Sequence, residues 1–120
     1  MDLDHRFGVR FTLKGSCGPF FGPGVVRLLC HIRSGLSLNK AAREMRMAYS
    51  KAWRIVKEAE KEFGFPLLES SIGGRDGGGS RLTSRGESVL DAYLLIEHQL
   101  LETAQRLYDQ QLEPLLNPPK

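Results

Sequence analysis

Four residues near the middle of the chain, Tyr49, Ser50, Lys51 and Arg54, are of types that read the polar edges of another molecule. Lys and Arg donate to guanine O6 and N7 or to phosphate oxygens, Ser donates or accepts, and Tyr offers a hydroxyl on a flat ring. Lys57 lies further along the same face and suits a phosphate. Asn39 and Lys40 open the preceding helical segment, where a helix N-terminus favours an anion. Taken singly, each is an ordinary surface residue.

The second feature is "IGGRDGGGSRLT", residues 72–83, with five glycines from Gly73 to Gly79. It is not a P-loop, because no Gly-Lys-Ser/Thr closes it and no helix starts at its last glycine. As a plain linker it is out of place between a strand-like segment and a strongly helical one. As a loop tip it has a use: glycines let the backbone approach phosphates or a minor groove closely. Arg75 and Arg81 supply charge beside it, and Arg85 lies near its base. The plain alternative is a mobile loop that touches nothing.

Other chemistries find little support. His5, Cys17, Cys30 and His31 match no zinc-ligand spacing. Nothing places a base beside either cysteine. Asp91, Glu97, Glu102 and Glu113 are spread along a helix rather than paired. Neither a metal, a cofactor nor an enzymatic activity is expected. Trp53 reads as partial core rather than a stacking platform.

Charge is unevenly distributed. Residues 1–86 hold 15 Lys and Arg against 8 Asp and Glu, and residues 87–120 hold 2 against 6. The halves carry +7 and −4, within a net +3. A basic region followed by an acidic one is the footprint of a polyanion binder, although a solvated helix face has the same composition. No run approaches a membrane span, and the N-terminus lacks the apolar core of a secretory signal. Two cysteines without such a signal point to free thiols in a reducing cytoplasm.

These residues need elements to position them. A chain of 120 residues supports one compact domain. "FGVRFTLKG", residues 7–15, reads as a strand, and residues 16–24, rich in Gly and Pro, as turns. Helices are expected at 23–34, 38–45 with Ser37 as N-cap, and 49–63 with Gly64 at C′ and Pro66 beyond. "PLLES" and "SRLT" read as the strands of a hairpin around the glycine tip. Ser84 with Glu87 matches a capping box, although Thr83 serves equally as the cap. A long helix follows over about 84–111.

That helix carries two apolar stripes, Val89, Tyr93, Ile96, Leu100 and Leu107, and Leu90, Leu94, Leu101, Ala104, Tyr108 and Leu112. One stripe is enough to hold it on the domain, and the other is free for a partner helix in a coiled-coil-like dimer. Val89, Tyr93, Ile96, Leu100, Leu101, Ala104, Leu107 and Tyr108 are the expected dimer residues. The architecture is therefore mainly α with a small β hairpin. A winged helix-turn-helix occupies 1–83, a long dimerisation helix 84–112, and a flexible tail 113–120.

"AYSKAWRIVKEAEKEFGFPLLES" followed by "GGRDGGGSRLTSRGE" resembles the N-terminal DNA-binding domain of the molybdate-dependent transcriptional regulators, the ModE family. The pattern is Tyr49, Ala52 and Trp53 in the third helix, the Gly-rich tip, and Leu82, Thr83 and Gly86 after it. It is also similar to the broader LysR-type winged helix. The resemblance implies sequence-specific binding of double-stranded DNA by a homodimer on an inverted repeat, in transcription regulation. Tyr49, Ser50, Lys51 and Arg54 would read bases, and Asn39, Lys40, Lys57, Arg75, Arg81 and Arg85 would hold the backbone. Full-length regulators of this type carry oxyanion-binding domains after the long helix, so molybdate binding is not expected of this chain. The alternative is a winged-helix protein-interaction module that docks an acidic partner.

Overall fold

The computed structural model describes residues 6–70 and 79–118. Two short strands, β1 (Leu13–Gly15) and β2 (Gly18–Phe21), precede three helices, α1 (Pro23–Arg33), α2 (Leu38–Glu44) and α3 (Tyr49–Phe63). A second antiparallel pair, β3 (Leu68–Ser70) and β4 (Ser80–Leu82), leads into the long α4 (Ser84–Leu107). A π-helical turn (Tyr108–Leu112) and α5 (Glu113–Leu116) extend it. The glycine tip at 71–78, with Arg75, and His5 lie outside the described residues.

Local chemistry sets the helix ends. Pro23 opens α1, where its missing N–H costs nothing. Ser37 Oγ accepts from the Lys40 N–H at 3.1 Å and caps α2. Gly64, at φ 83°, closes α3 in the left-handed conformation that glycine adopts freely. The three helices enclose Phe21, Leu28, Leu29 and Val56, while Ala41, Ala42 and Ala52 are fully buried and let α2 and α3 approach closely. The connection between α2 and α3 is tight, with the Met47 N–H donating to the Ala42 carbonyl at 3.0 Å.

The hairpin β3–β4 pairs Leu68 with Leu82, Glu69 with Arg81 and Ser70 with Ser80. The chain thus folds as a winged helix-turn-helix: α2, a tight turn, α3, then the wing. The N-terminal segment differs from expectation. Only Leu13–Gly15 of the strand expected at 7–15 is paired, and its partner β2 lies inside the stretch that reads as turns. Gly18 at φ 110° makes a two-residue reversal, so Pro19 can sit in a strand that has an open edge.

The wing is joined to the helices at one crowded crossing. Glu60 Oε2 on α3 accepts from the backbone N–H groups of Leu67 and Leu68 at 2.8 and 3.2 Å. The Leu67 carbonyl accepts from the Thr83 N–H at 2.9 Å. Thr83 Oγ1 donates to the Pro66 carbonyl at 2.8 Å and accepts from the Gly86 N–H at 2.9 Å. Thr83, not Ser84, is therefore the N-cap of α4. Gly86 is buried, and a Cβ there would be driven into the Leu67 carbonyl.

Along α4 the two apolar stripes differ in cover: Leu90, Leu94, Leu101, Ala104 and Tyr108 are buried or half-buried, whereas Ile96, Leu100 and Leu107 of the other stripe are exposed. Leu90 and Tyr93 in its first half are buried in the domain, with Val89 and Leu94 packed beside them. Tyr93 is thus a core residue, not a dimer residue. It is 3% exposed, its hydroxyl donates to the Phe11 carbonyl at 2.6 Å, and its ring stacks on Phe11. The reason is that residues 7–12 run along the helix instead of forming a strand, and Phe7 meets Tyr108 further on, with ring centroids 5.5 Å apart. Arg33 of α1 ties down the same half of α4 through Asp91 at 2.5 Å. Past Tyr93 the helix leaves the domain, and Leu95, Ile96, Leu100 and Leu107 are exposed. The molecule is correspondingly long, 67 × 30 × 24 Å, with a radius of gyration of 17.7 Å against about 14 Å for a compact chain of this size.

The helix also outlasts the expected tail at 113. Pro114 has no N–H for the Gln110 carbonyl, and its ring would strike that oxygen in a regular α-turn. The backbone widens instead, with the Glu113 N–H bonding the Tyr108 carbonyl five residues back, and helix resumes to Leu116.

Gly86→Ala should destabilise the protein by about 1–3 kcal/mol in chemical denaturation, because backbone must shift to admit the methyl group. Gly24→Ala is the contrast. A Cβ there meets nothing within 4 Å, so stability should be unchanged or raised by up to about 1 kcal/mol.

Candidate nucleic-acid interface

The first turn of α3 stands clear of the core. Tyr49, Ser50 and Lys51 are exposed, and so is Arg54 one turn on. Ala52, Val56 and Ala59 face inward and orient the helix. Its N-cap, Ala48, has no side chain to accept a hydrogen bond, and the first turn contains no acid. The free N–H groups and the positive end of the helix dipole are therefore left for an outside acceptor.

Trp53 belongs to this surface rather than to the core. It is 48% exposed, and Tyr49, one turn earlier, is 50% exposed. The two rings line a small cleft of about 90 Å³ between α3 and the wing, together with Leu38, Val56, Lys57, Leu68, Ser70 and Ser80. Such a space is well below the roughly 300 Å³ and more of a small-molecule site. The departure from expectation follows from position: the wing packs against α3 through Glu60 and Leu67, toward the helix C-terminus, and leaves Trp53 half-exposed at the edge of the cleft.

The cations differ in availability. Arg54 Nη1 lies 3.4 Å from Glu58. Lys57 Nζ lies 3.1 Å from Glu60 and 5.6 Å from the Trp53 ring centroid. Arg81 is joined across the wing to Glu69 at 2.8 Å but is otherwise well exposed. Arg85 covers the Phe65 ring at 4.7 Å. Asn39 and Lys40 are exposed on the first turn of α2, and Lys51 forms no ion pair among the described residues.

Sequence reading missed Glu60, whose carboxylate joins α3 to the wing. A glutamate at a polar-looking helical position carries no signal of the N–H groups it will meet after a Gly-Phe-Pro turn. It also missed Arg43 and Arg46, exposed at the end of α2 and in the turn before α3. Their signal was the basic run itself, which names no single residue.

Among the described residues no group of three or more His, Cys, Asp or Glu is placed to hold a metal ion, and no helix is long and apolar enough to cross a membrane. Cys17 is exposed, whereas burial pushes the Cys30 thiol pKa up.

Residues 25–87, from α1 through the wing into α4, match the bacterial regulatory helix-turn-helix proteins of the lysR family. The chain is 37% identical over 89 residues to the transcriptional regulator ModE of Haemophilus influenzae, covering 74% of this chain and 35% of that protein. It is 34% identical over 89 residues to the molybdenum-pterin-binding protein MopA of Rhodobacter capsulatus, covering 74% of this chain and 34% of that one. It is 31% identical over 88 residues to the DNA-binding transcriptional dual regulator ModE of Escherichia coli, covering 73% of this chain and 34% of that one. The chain spans about a third of the length of these curated relatives.

Trp53 is the single tryptophan, so its fluorescence reports on this surface alone. Adding duplex DNA should lower its accessibility to acrylamide quenching. Unchanged quenching at saturating DNA would take Trp53 out of the interface.

Proposed function

The chain belongs to the lysR family of bacterial regulatory helix-turn-helix proteins, and from that premise we propose that it is a sequence-specific, DNA-binding transcriptional regulator acting as a homodimer in the cytoplasm. The observation that carries this reading is the first turn of α3: uncapped, free of acids, and presenting Tyr49, Ser50 and Lys51 to solvent beside a wing. A helix of this kind enters a major groove with its N-terminal residues on the base edges.

In this reading Tyr49, Ser50, Lys51 and Arg54 read bases. Asn39, Lys40, Lys57, Arg81 and Arg85 hold phosphates, and Arg75 with the glycine tip does the same from the wing. The pairs Arg54–Glu58, Lys57–Glu60 and Arg81–Glu69 are all exposed on the cation side. Exposed pairs are worth little, so exchanging a carboxylate for a phosphate costs little. The same pairs lower the positive field at this surface toward DNA and toward an acidic protein partner alike.

The partner of the exposed half of α4 is a second copy. Ile96, Leu100 and Leu107 form one exposed face past the domain, flanked by the half-buried Leu101, Ala104 and Tyr108, and Leu94 and Val89 mark where the domain's own core ends. Two copies paired there present two α3 helices to successive major grooves, and so to an inverted repeat.

Three measurements check the reading. Lys51→Ala should weaken binding to a preferred duplex by about 1–3 kcal/mol and relax the base preference at one position. Measured as log Kd against log salt, wild-type binding should be linear and steep, whereas docking to a folded acidic protein lacks the phosphate-counterion slope. Leu100→Glu combined with Leu107→Glu should leave the circular dichroism spectrum intact and convert a dimer to a monomer in sedimentation. A monomeric wild-type protein at micromolar concentration would contradict the dimer.

A further inference from the structure

The turn between α2 and α3 reverses the chain within Met45–Ala48, and Arg46 there takes φ 55°. A Cβ makes this left-handed region costly, and glycine occupies it freely. Elsewhere the chain uses glycine for positive φ, at Gly18, Gly35 and Gly64. Among the described residues Arg46 is alone in carrying a side chain into that region.

Among the described residues nothing makes use of that side chain. It is exposed, and among the described residues it has no ion pair and no aromatic ring beneath it. Its backbone alone is engaged, the N–H donating to the Arg43 carbonyl at 3.0 Å. The contrast with Arg54, Lys57 and Arg81 is direct, because each of those has a carboxylate within 3.4 Å. Strain retained at one residue whose side chain does nothing for stability points to a use outside the fold.

Resting on the DNA-binding reading above, we propose that Arg46 is a backbone-gripping residue whose guanidinium binds a DNA phosphate beside the base-reading turn of α3. Three peptide links separate it from Tyr49, so the two Cα atoms lie within about 11 Å. A planar guanidinium makes two parallel, charge-assisted bonds to a phosphate. Such a grip sets the register of α3 along the groove and reads no base itself. Arg43, exposed on the last turn of α2 and without an ion pair among the described residues, adds charge three residues away.

The test compares wild type, Arg46→Gly and Arg46→Lys on the duplex that wild type enriches from a random pool. Thermal unfolding and the salt dependence of Kd are measured for each. Arg46→Gly should unfold a few degrees higher, since glycine relieves the turn, yet bind on the order of tenfold more weakly at about 0.1 M salt. Its log–log salt slope should be shallower by about 2 for a dimer, one lost phosphate per copy. Arg46→Lys should keep the wild-type melting temperature and most of the affinity. A merely structural arginine would leave the salt slope unchanged. Unchanged Kd and slope in Arg46→Gly, with wild type binding normally, overturn this inference alone. A lowered melting temperature in Arg46→Gly overturns its premise. If wild type retains no duplex at all, the DNA-binding reading falls and this inference with it.

Discussion

The wing and α3 hold their relative positions through the backbone of Leu67. Its N–H, with that of Leu68, is taken by the Glu60 carboxylate on α3. Its carbonyl is taken by Thr83, and Gly86 lets α4 lie directly on it. Three elements thus converge on one residue whose side chain is itself fully buried. A buried N–H or carbonyl without a partner costs about 1–3 kcal/mol, so loosening any member of this set exposes the others to that penalty. Lys57 joins it from outside, through the second oxygen of Glu60. The cleft beside Tyr49 and Trp53 exists because this junction sets the distance between helix and wing.

The same junction starts α4, whose two halves have different roles. The first half is fastened by Leu90, Tyr93 and the Arg33–Asp91 pair. The second half carries Ile96, Leu100 and Leu107 exposed along one side, beside the half-buried Leu101, Ala104 and Tyr108. A helix with its apolar face in water is poorly stable alone, since most helical stability in proteins comes from tertiary packing. The Phe7–Tyr108 contact covers part of that face from the chain's own N-terminal segment. The rest is what the proposed second copy would cover.

Much of the helical frame was legible. Ser37, Gly64 and Pro66 are strong local signals, and α3 has the expected bounds because its cap, periodicity and stop agree. The wing strands were legible from the glycine stretch between them. Less was visible where tertiary contact outvotes local pattern. The alternation in residues 7–12 looks like a strand, but the chain there packs on α4 instead. Pro19 hides a strand, and Pro114 hides a helix that continues by widening. Tyr93 and Leu100 share a face, so periodicity alone cannot say which lies over the domain and which beyond it. At the candidate site, the exposure of Tyr49, Ser50, Lys51 and Arg54 follows from the inward face of α3. The Arg54–Glu58 and Lys57–Glu60 pairs follow from helical spacing, whereas the Arg81–Glu69 pair across the wing and the left-handed turn at Arg46 arise only from tertiary structure.

The most direct test of the account is selection of binding sites from a randomised duplex pool by the purified protein at near-physiological salt, followed by sequencing. The account predicts enrichment of an inverted repeat with half-sites about 34–36 Å apart, one helical turn, because two α3 helices related by a twofold axis reach successive major grooves. Recovery of DNA with no enriched sequence would contradict base reading by the first turn of α3. No recovery of DNA at all would contradict the central claim and leave the basic face to an acidic protein partner.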